Sequence, residues 1–319
     1  MCEQILQEIL VKKVADECYR RFASDRIVPI IDIKSRIREI TANFLRNEGF
    51  VEISPVIISP ITDPLNHGIL DGKITYYGHA YAITKSMILH KQLALLAFEK
   101  IFSFSPNIRL ETGEKKETRR HLVEFTQLDL EVRHASRDDM IELAEKLLIH
   151  VIKDTKKSCK EELKELERKL KIPSRPFKRI TFDQAYKRYG NEFEIVLSNE
   201  LMEPFWITDF PIWNREFYDR EFEDKPGLLR DMDMVYPEGC GEGLSGGERE
   251  YEYNKIRERM KISGLNISAF LPYLEIAKKG IHPSAGFGIG LERLTRFICG
   301  LKDIRHATLF PKIPGEYCI

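Results

Sequence analysis

The sequence lacks any cysteine pattern. Its six cysteines (Cys2, Cys18, Cys159, Cys240, Cys299 and Cys318) are scattered, with no C-x-x-C pair among them. That spacing fits neither a disulfide framework nor a zinc site, and reads as reduced thiols in a cytosolic protein. Long hydrophobic runs are absent too. The longest clean one, Leu93 to Phe98, falls far short of the ~20 residues a bilayer needs, so no membrane partner is expected. The opening residues, Met1-Cys2-Glu3-Gln4, show no basic stretch followed by an apolar one. No secretory signal is therefore expected, and the expected location is cytoplasmic. There is no excess of charge: 50 Lys and Arg balance 50 Asp and Glu. Balance argues against a broadly basic surface for nucleic acid, while leaving room for a local basic patch. No internal repeat or low-complexity linker is visible.

What is present is an ordinary globular composition: 319 residues, 43% hydrophobic and 31% charged. That length suits one large domain or two small ones, with a sizeable core. Residues 1–24 read as an amphipathic helix with Ile5, Leu6, Ile9, Leu10 and Val14 on one face. A second helix is predicted from Asp32 to Gly49, with Ile33, Ile37, Ile40 and Phe44 inward. Strands are predicted over Phe50–Ile58, Ala80–Thr84, Ile101–Glu111 and His121–Val132, with a charged loop at 112–118. Ser86–Lys100 reads as helix, capped by Ser86. Residues 153–170 hold seven basic and five acidic side chains, which predicts a solvated surface helix with a thin stripe of Leu163, Leu166 and Leu170. Beyond it the pattern predicts a helix near 182–189, strands near 204–210 and 228–236, helices near 248–263 and 268–279, and a final helix Leu291–Gly300. Strands and helices mix rather than alternate, which points to an α+β fold built on an antiparallel sheet.

Two stretches carry chemistry. Gly286-Phe287-Gly288-Ile289-Gly290 is neither a dinucleotide fingerprint nor a P-loop, because residue 291 is Leu and no Gly-Lys-Ser/Thr follows. Small residues in a strand let a ligand approach the backbone. Arg293 follows in the first helical turn, where a cation is best tolerated beside an anion. In the second stretch, Arg109 and Glu111 share one side of a strand. Phe125, Gln127, Asp129 and Glu131 alternate on another. An aromatic, an amide and two acids make a poor core face, since buried acids must be paired. They make a good site face: arginines for phosphates, an aromatic for a base, polar tips for a small zwitterion.

These residues carry a family resemblance. Arg109-Leu110-Glu111, a loop, then Arg120 to Asp129 resembles motif 2 of the class II aminoacyl-tRNA synthetases, in the aspartate/asparagine/lysine subgroup. Gly286 to Leu294 resembles motif 3. Phe44 to Pro55 resembles motif 1, the dimer-interface element. The resemblance spans residues 32–319 and implies an antiparallel β-sheet flanked by helices. Ser59 to Pro64, Ser86 to Gln92 and Ser245 to Glu250 resemble, more narrowly, the archaeal asparagine synthetases related to asparaginyl-tRNA synthetases.

By that resemblance Arg109 and Arg293 are the catalytic pair, holding the α- and γ-phosphates of ATP. Glu111, Arg120, His121, Phe125 and Glu242 complete the ATP site, with Phe125 stacking on adenine. Asp233 and Glu242 would hold Mg²⁺, which prefers oxygen ligands shared with phosphates. Ser86, Lys91, Gln127, Asp129 and Arg249 would bind aspartate, Lys91 and Arg249 gripping a carboxylate. The implied function is AMP-forming, ammonia-dependent asparagine synthesis through a β-aspartyl-adenylate. Aspartate, ATP and ammonia are then the substrates, and no cysteine nucleophile is needed. The alternatives are a tRNA-charging aspartyl or asparaginyl synthetase and a non-catalytic paralogue. tRNA is not expected as a partner, because the subgroup's anticodon-binding barrel is not encoded before motif 1. Ile88 stands where aspartyl-tRNA synthetases have Gln, which leaves room for aspartate turned end for end. Residues 1–30 are expected as a helical extension and 31–319 as the catalytic domain. A homodimer is expected on Asp32–Pro55, whose apolar face needs cover.

Overall fold

The computed structural model describes residues 2–65 and 68–319. An eight-stranded sheet organises the chain. Its strands are β1 (Val51–Glu52), β2 (Lys100–Ile108), β3 (Glu124–Arg133), β4 (Lys178–Thr181), β5 (Phe205–Thr208), β6 (Asp231–Tyr236), β7 (Gly241–Arg249) and β8 (Ser284–Gly290). They lie in the order β1-β2-β3-β8-β7-β6-β5-β4. The six central strands are antiparallel, and β1 and β4 add parallel edges. The expected α+β fold with an antiparallel sheet and flanking helices is thus the observed one.

Alternation along the strands sorts core from site. Phe102 and Phe104 on β2, Leu128 and Leu130 on β3, Met232 and Met234 on β6, Leu244 on β7, and Ala285, Phe287 and Ile289 on β8 enter one hydrophobic core. Each full burial of this kind stabilises by roughly 1.5–3 kcal/mol. The residues between them, Gln127, Asp129 and Glu131 on β3 and Gly286, Gly288 and Gly290 on β8, therefore face the other side. Helix α1 (Cys2–Phe22) meets the segment around Leu309 and Phe310 through Arg21 and Phe22, and helices α2 (Ile27–Asn47), α3 (Ile88–Ala94), α4 (Arg137–Ser158), α5 (Tyr253–Ile262), α6 (Leu271–Ala277) and α7 (Leu291–Cys299) flank the sheet. Helices α2, α4 and α7 cover the core side with Ile33, Ile37, Met140, Leu148, Leu294 and Phe297, among others. Helix α4 starts with a capping box, Ser136 and Asp139 each bonding the other's backbone N–H. On the site side, α3, α5 and α6 gather around Phe217 and Tyr218 in a second cluster.

Several expectations change at this level. The apolar face of α2 packs into the core of its own chain. On α1, Val14 is buried, while Ile9 and Leu10 are exposed; the side chains of Ile5 and Leu6 lie outside the described ones. The strand predicted over Phe50–Ile58 divides at Pro55 into β1 and a bridge at Ile58–Ser59 in another sheet. The helix from Ser86 stops at Ala94, because Lys100 already opens β2. Strand β2 ends at Ile108, and Leu110–Glu111 pairs separately with Ile69–Leu70. The loop at 112–118 contains a 3-10 turn. Residues 153–170 span the end of α4 and a short helix, Lys160–Glu165, and Leu163, Leu166 and Leu170 belong to the core rather than to a thin surface stripe. The helix predicted from 248 starts at Tyr253, since Glu248 and Arg249 complete β7. Among the described residues no helix is long and apolar enough to cross a membrane.

Candidate active site

Every predicted site residue except Asp233 lines one cleft of about 290 Å³ over the centre of the sheet. Glycines make its floor approachable. A Cβ at residue 288 would fall 1.7 Å from Gln127 Nε2, and one at 286 would fall 2.1 Å from Glu131 Oε2. The glycine run at 286–290 thus serves side chains of β3 as much as any ligand.

One end of the cleft is rich in arginine. Arg109 Nε donates to the Lys85 carbonyl at 3.1 Å, and its guanidinium lies 5.2 Å from the Phe125 ring. Among the described residues a carbonyl and an aromatic face hold it, rather than a carboxylate. Arg293 bonds the Glu242 carbonyl at 3.0 Å and its carboxylate at 3.2 Å. Arg120 is paired with Glu194, which also accepts from the Glu242 N–H at 2.7 Å. Gly241, at φ +72°, has no Cβ to obstruct that pair. Burial alone would raise the Glu242 carboxyl, but Arg293, Arg215, Arg120 and Arg109 outweigh it and hold it below the usual range. Glu111 is buried beside His121. Burial, reinforced by Arg293, pushes His121 down to about 3. At neutral pH the ring is therefore uncharged, and it offers phosphates a hydrogen bond rather than a charge. Its Nδ1 lies 2.6 Å from Thr118 Oγ1.

The other end is a buried ion cluster. Lys91 Nζ, on α3, is 2.8 Å from Asp129 and 3.7 Å from Glu131. Arg249 divides its donors among Glu131 at 3.1 Å, Asp219 at 2.9 Å and the Gly286 carbonyl at 3.0 Å. Burial opposes its charge, but Glu131 and Asp219 hold it firmly protonated. The two cations expected to grip substrate are thus already paired with acids on the sheet floor. Gln127 accepts from Asn107 at 2.5 Å. Ser86 Oγ accepts from the Ile88 N–H at 3.2 Å, which ties it to the start of α3.

Asp233 is the exception. It lies under the cleft, paired with Arg215 at 2.7 Å, and Arg215 in turn pairs with Asp231 at 2.7 Å and covers the Phe210 ring at 3.8 Å. Burial raises Asp233 to about 7, against Arg215 and with the help of Glu242. Among the described residues no group of three His, Cys, Asp or Glu side chains gathers as a metal cage. Asp233 and Glu242 feel each other's charge, and two carboxylates suffice for an ion whose other ligands are phosphate oxygens and water. The oxygen-only pair therefore fits Mg²⁺.

Sequence reasoning missed Asp63, Glu194, Arg215, Tyr218 and Asp219. All but Glu194 line the cleft. Arg215, Tyr218 and Asp219 sit in the irregular stretch between β5 and β6, where no periodicity marks them. The signal that was available is composition: Arg215, Asp219, Arg220 and Glu221 are charged residues set beside Phe217 and Tyr218.

A family model described as tRNA synthetases class II (D, K and N) matches residues 12–314. The asparagine--tRNA ligase of Thermococcus kodakarensis is 30% identical over 98% of this chain and 78% of its own length. That of Pyrococcus abyssi is 31% identical over 98% of this chain and 74% of its own. The asparaginyl-tRNA synthetase of Pyrococcus horikoshii, solved with asparaginyl-adenylate, superposes with a TM-score of 0.87 at 28% identity. It covers 95% of this chain and 72% of that one. These relatives are tRNA ligases rather than asparagine synthetases. They overturn the expectation that ammonia accepts the adenylate and that tRNA takes no part. That expectation leaned on the narrower resemblance of Ser59–Pro64, Ser86–Gln92 and Ser245–Glu250, on Ile88 in place of a polar contact, on overall charge balance and on a barrel not found before motif 1. Charge balance and a barrel do not bear on a local contact with tRNA.

Proposed function

The chain belongs to the class II tRNA synthetase family of the aspartate, lysine and asparagine enzymes, which are ATP-dependent ligases, and we propose that it activates asparagine or aspartate as an aminoacyl-adenylate and passes it to tRNA. One observation carries this reading. A single cleft joins an arginine end, Arg109, Arg120 and Arg293, to a buried ion cluster around Lys91, Asp129 and Arg249. The first suits a triphosphate and the second a small zwitterion.

A carboxylate oxygen of the amino acid attacks the α-phosphorus, an acyl–phosphate bond forms, and pyrophosphate leaves. Charge grows on the phosphate oxygens, and Arg109, held in place by the Lys85 carbonyl, opposes it without reorganising. Arg293 and Arg120 hold the outer phosphates. Phe125, with Arg109 over one face, offers the adenine its other. His121 contributes a neutral donor. Asp233 and Glu242 would hold Mg²⁺, which supplies charge neutralisation on the triphosphate when bound. The tRNA hydroxyl then attacks the acyl carbon, and AMP leaves.

The relatives' names favour asparagine. Lys91 and Arg249 are both buried at the amino-acid end, but Asp129, Glu131 and Asp219 already neutralise them, so the cluster offers no surplus positive charge that would select aspartate over asparagine. Amino-acid-dependent exchange of pyrophosphate into ATP tests the reading. Exchange with asparagine or aspartate, and with no other amino acid, is expected. ATP binding without exchange would refute it.

A further inference from the structure

Strand β2 carries polar side chains at positions where burial favours apolar ones. Phe102 and Phe104 turn to the core, so Ser103, Ser105 and Asn107 turn to the other side of the sheet. All three are buried, and Ser105 and Asn107 are 0% exposed. Asparagine is a poor strand former, and a buried amide is costly unless it is bonded. Nothing above has used these residues.

Their hydrogen bonds run in one direction, towards the cleft. Ser105 Oγ donates to Asn107 Oδ1 at 3.2 Å, and Asn107 Nδ2 donates across the strands to Gln127 Oε1 at 2.5 Å. Gln127 is the member of this chain that lines the cleft. An amide has one acceptor end and one donor end. With Oε1 taken by Asn107, the donor end is turned to the floor at Gly288, where a Cβ would fall 1.7 Å from Nε2.

Position decides what that donor can meet. Gln127 stands on β3 between Phe125, which lies beside the Arg109 guanidinium, and Asp129, which is paired with Lys91. The first neighbour marks the phosphate end of the cleft and the second the amino-acid end. The carboxylate that attacks the α-phosphorus joins these two ends, so it lies over Gln127. It carries acceptor oxygens only. A Gln127 amide turned the other way would oppose them with an oxygen of its own.

We propose that Asn107, backed by Ser105, is a positioning residue that holds the Gln127 amide with its N–H groups towards the carboxylate being activated. The proposal rests on the adenylate-forming reading above. Gln127 touches substrate, whereas Asn107 and Ser105 act through it.

The test is pyrophosphate exchange by the full chain, run as a double-mutant cycle. Asn107→Leu keeps the branched shape and removes the donor. It should lower the amino-acid kcat/KM roughly 3–10-fold, with the ATP KM within about twofold of wild type. Gln127→Met should lower the same constant about 100-fold. The double variant should then lie within about twofold of Gln127→Met alone, because nothing is left to orient. A merely structural role predicts that the two losses multiply and that the ATP KM moves with the amino-acid constant. Multiplying losses, wild-type constants in a folded Asn107→Leu, or wild-type constants in Gln127→Met would each overturn the inference. If Asn107→Leu does not fold, Ser105→Ala takes its place in the cycle, with an expected loss of about threefold that vanishes beside Gln127→Met. No loss, or a loss that persists there, overturns the inference equally. If wild type exchanges with no amino acid, the proposed function falls and this inference with it.

Discussion

Lys91→Met separates two accounts of the ion cluster. If Lys91 were a grip waiting for substrate, its loss would weaken binding and leave the folded protein untouched. The geometry argues otherwise. The Lys91 side chain is 4% exposed, and its partners Asp129 and Glu131 are 1% and 0% exposed. Arg249 still reaches Glu131 in the variant, but Asp129 loses the cation 2.8 Å away. Stranding one member of a buried pair costs ~3–5 kcal/mol. Methionine fills nearly the same volume, so the cavity contribution is small. With a urea slope of ~3 kcal/mol/M, the unfolding midpoint should fall by about 1–1.7 M. Adding Asp129→Asn removes the stranded charge and should restore at least half of the loss. The assay is urea unfolding of wild type, both single variants and the double. A Lys91→Met midpoint indistinguishable from wild type would refute the counter-ion account and return Lys91 to the role of a substrate grip alone.

Other outcomes follow from the same coordinates. Arg109→Ala should lower the exchange rate ~10²–10³-fold with the fold intact; near-normal exchange would remove it from the reaction. Gly246→Ala places a Cβ 2.3 Å from the Gly286 carbonyl, and that backbone is fixed in the sheet. The strain should cost about 1–3 kcal/mol, read as a lower melting temperature. His121 has its folded pKa pushed down to about 3 by burial and Arg293. The unfolded chain then binds a proton, from pH ~6.5 downward, that the folded one refuses. Stability from this group is complete above pH ~6.5 and is lost as pH falls towards 3. His121→Gln should flatten that part of the denaturation profile against pH.

The sequence made the site more legible than the framework that carries it. Phe125, Gln127 and Asp129 could be found because one strand brings them to one face at a period of two, Arg109 because it stands two residues from Glu111, and Arg293 because it follows the glycine run. The strand Gly241–Arg249 could not. Four glycines in nine residues contradict strand propensity, and only tertiary neighbours explain them. A Cβ at 243 would strike the Tyr236 ring at 2.0 Å, and one at 246 the Gly286 carbonyl. With that strand unread, Arg249 fell on a helix and its pairing with Glu131 and Asp219 stayed hidden. Asp63, Arg215 and Asp219 lie in irregular chain, where packing sets position and no periodicity records it. Asp233 was identified as an acid of the site, but its depth depends on Arg215, a partner local pattern does not reveal.

The central claim is that an adenylate made in this cleft is handed to tRNA. Its most direct test incubates the enzyme with ATP, Mg²⁺, tRNA and radiolabelled asparagine or aspartate, and counts label that precipitates with the RNA. The account predicts ATP-dependent label on tRNA that is released by mild alkali and abolished in Arg109→Ala. Active pyrophosphate exchange with no label reaching tRNA would contradict it.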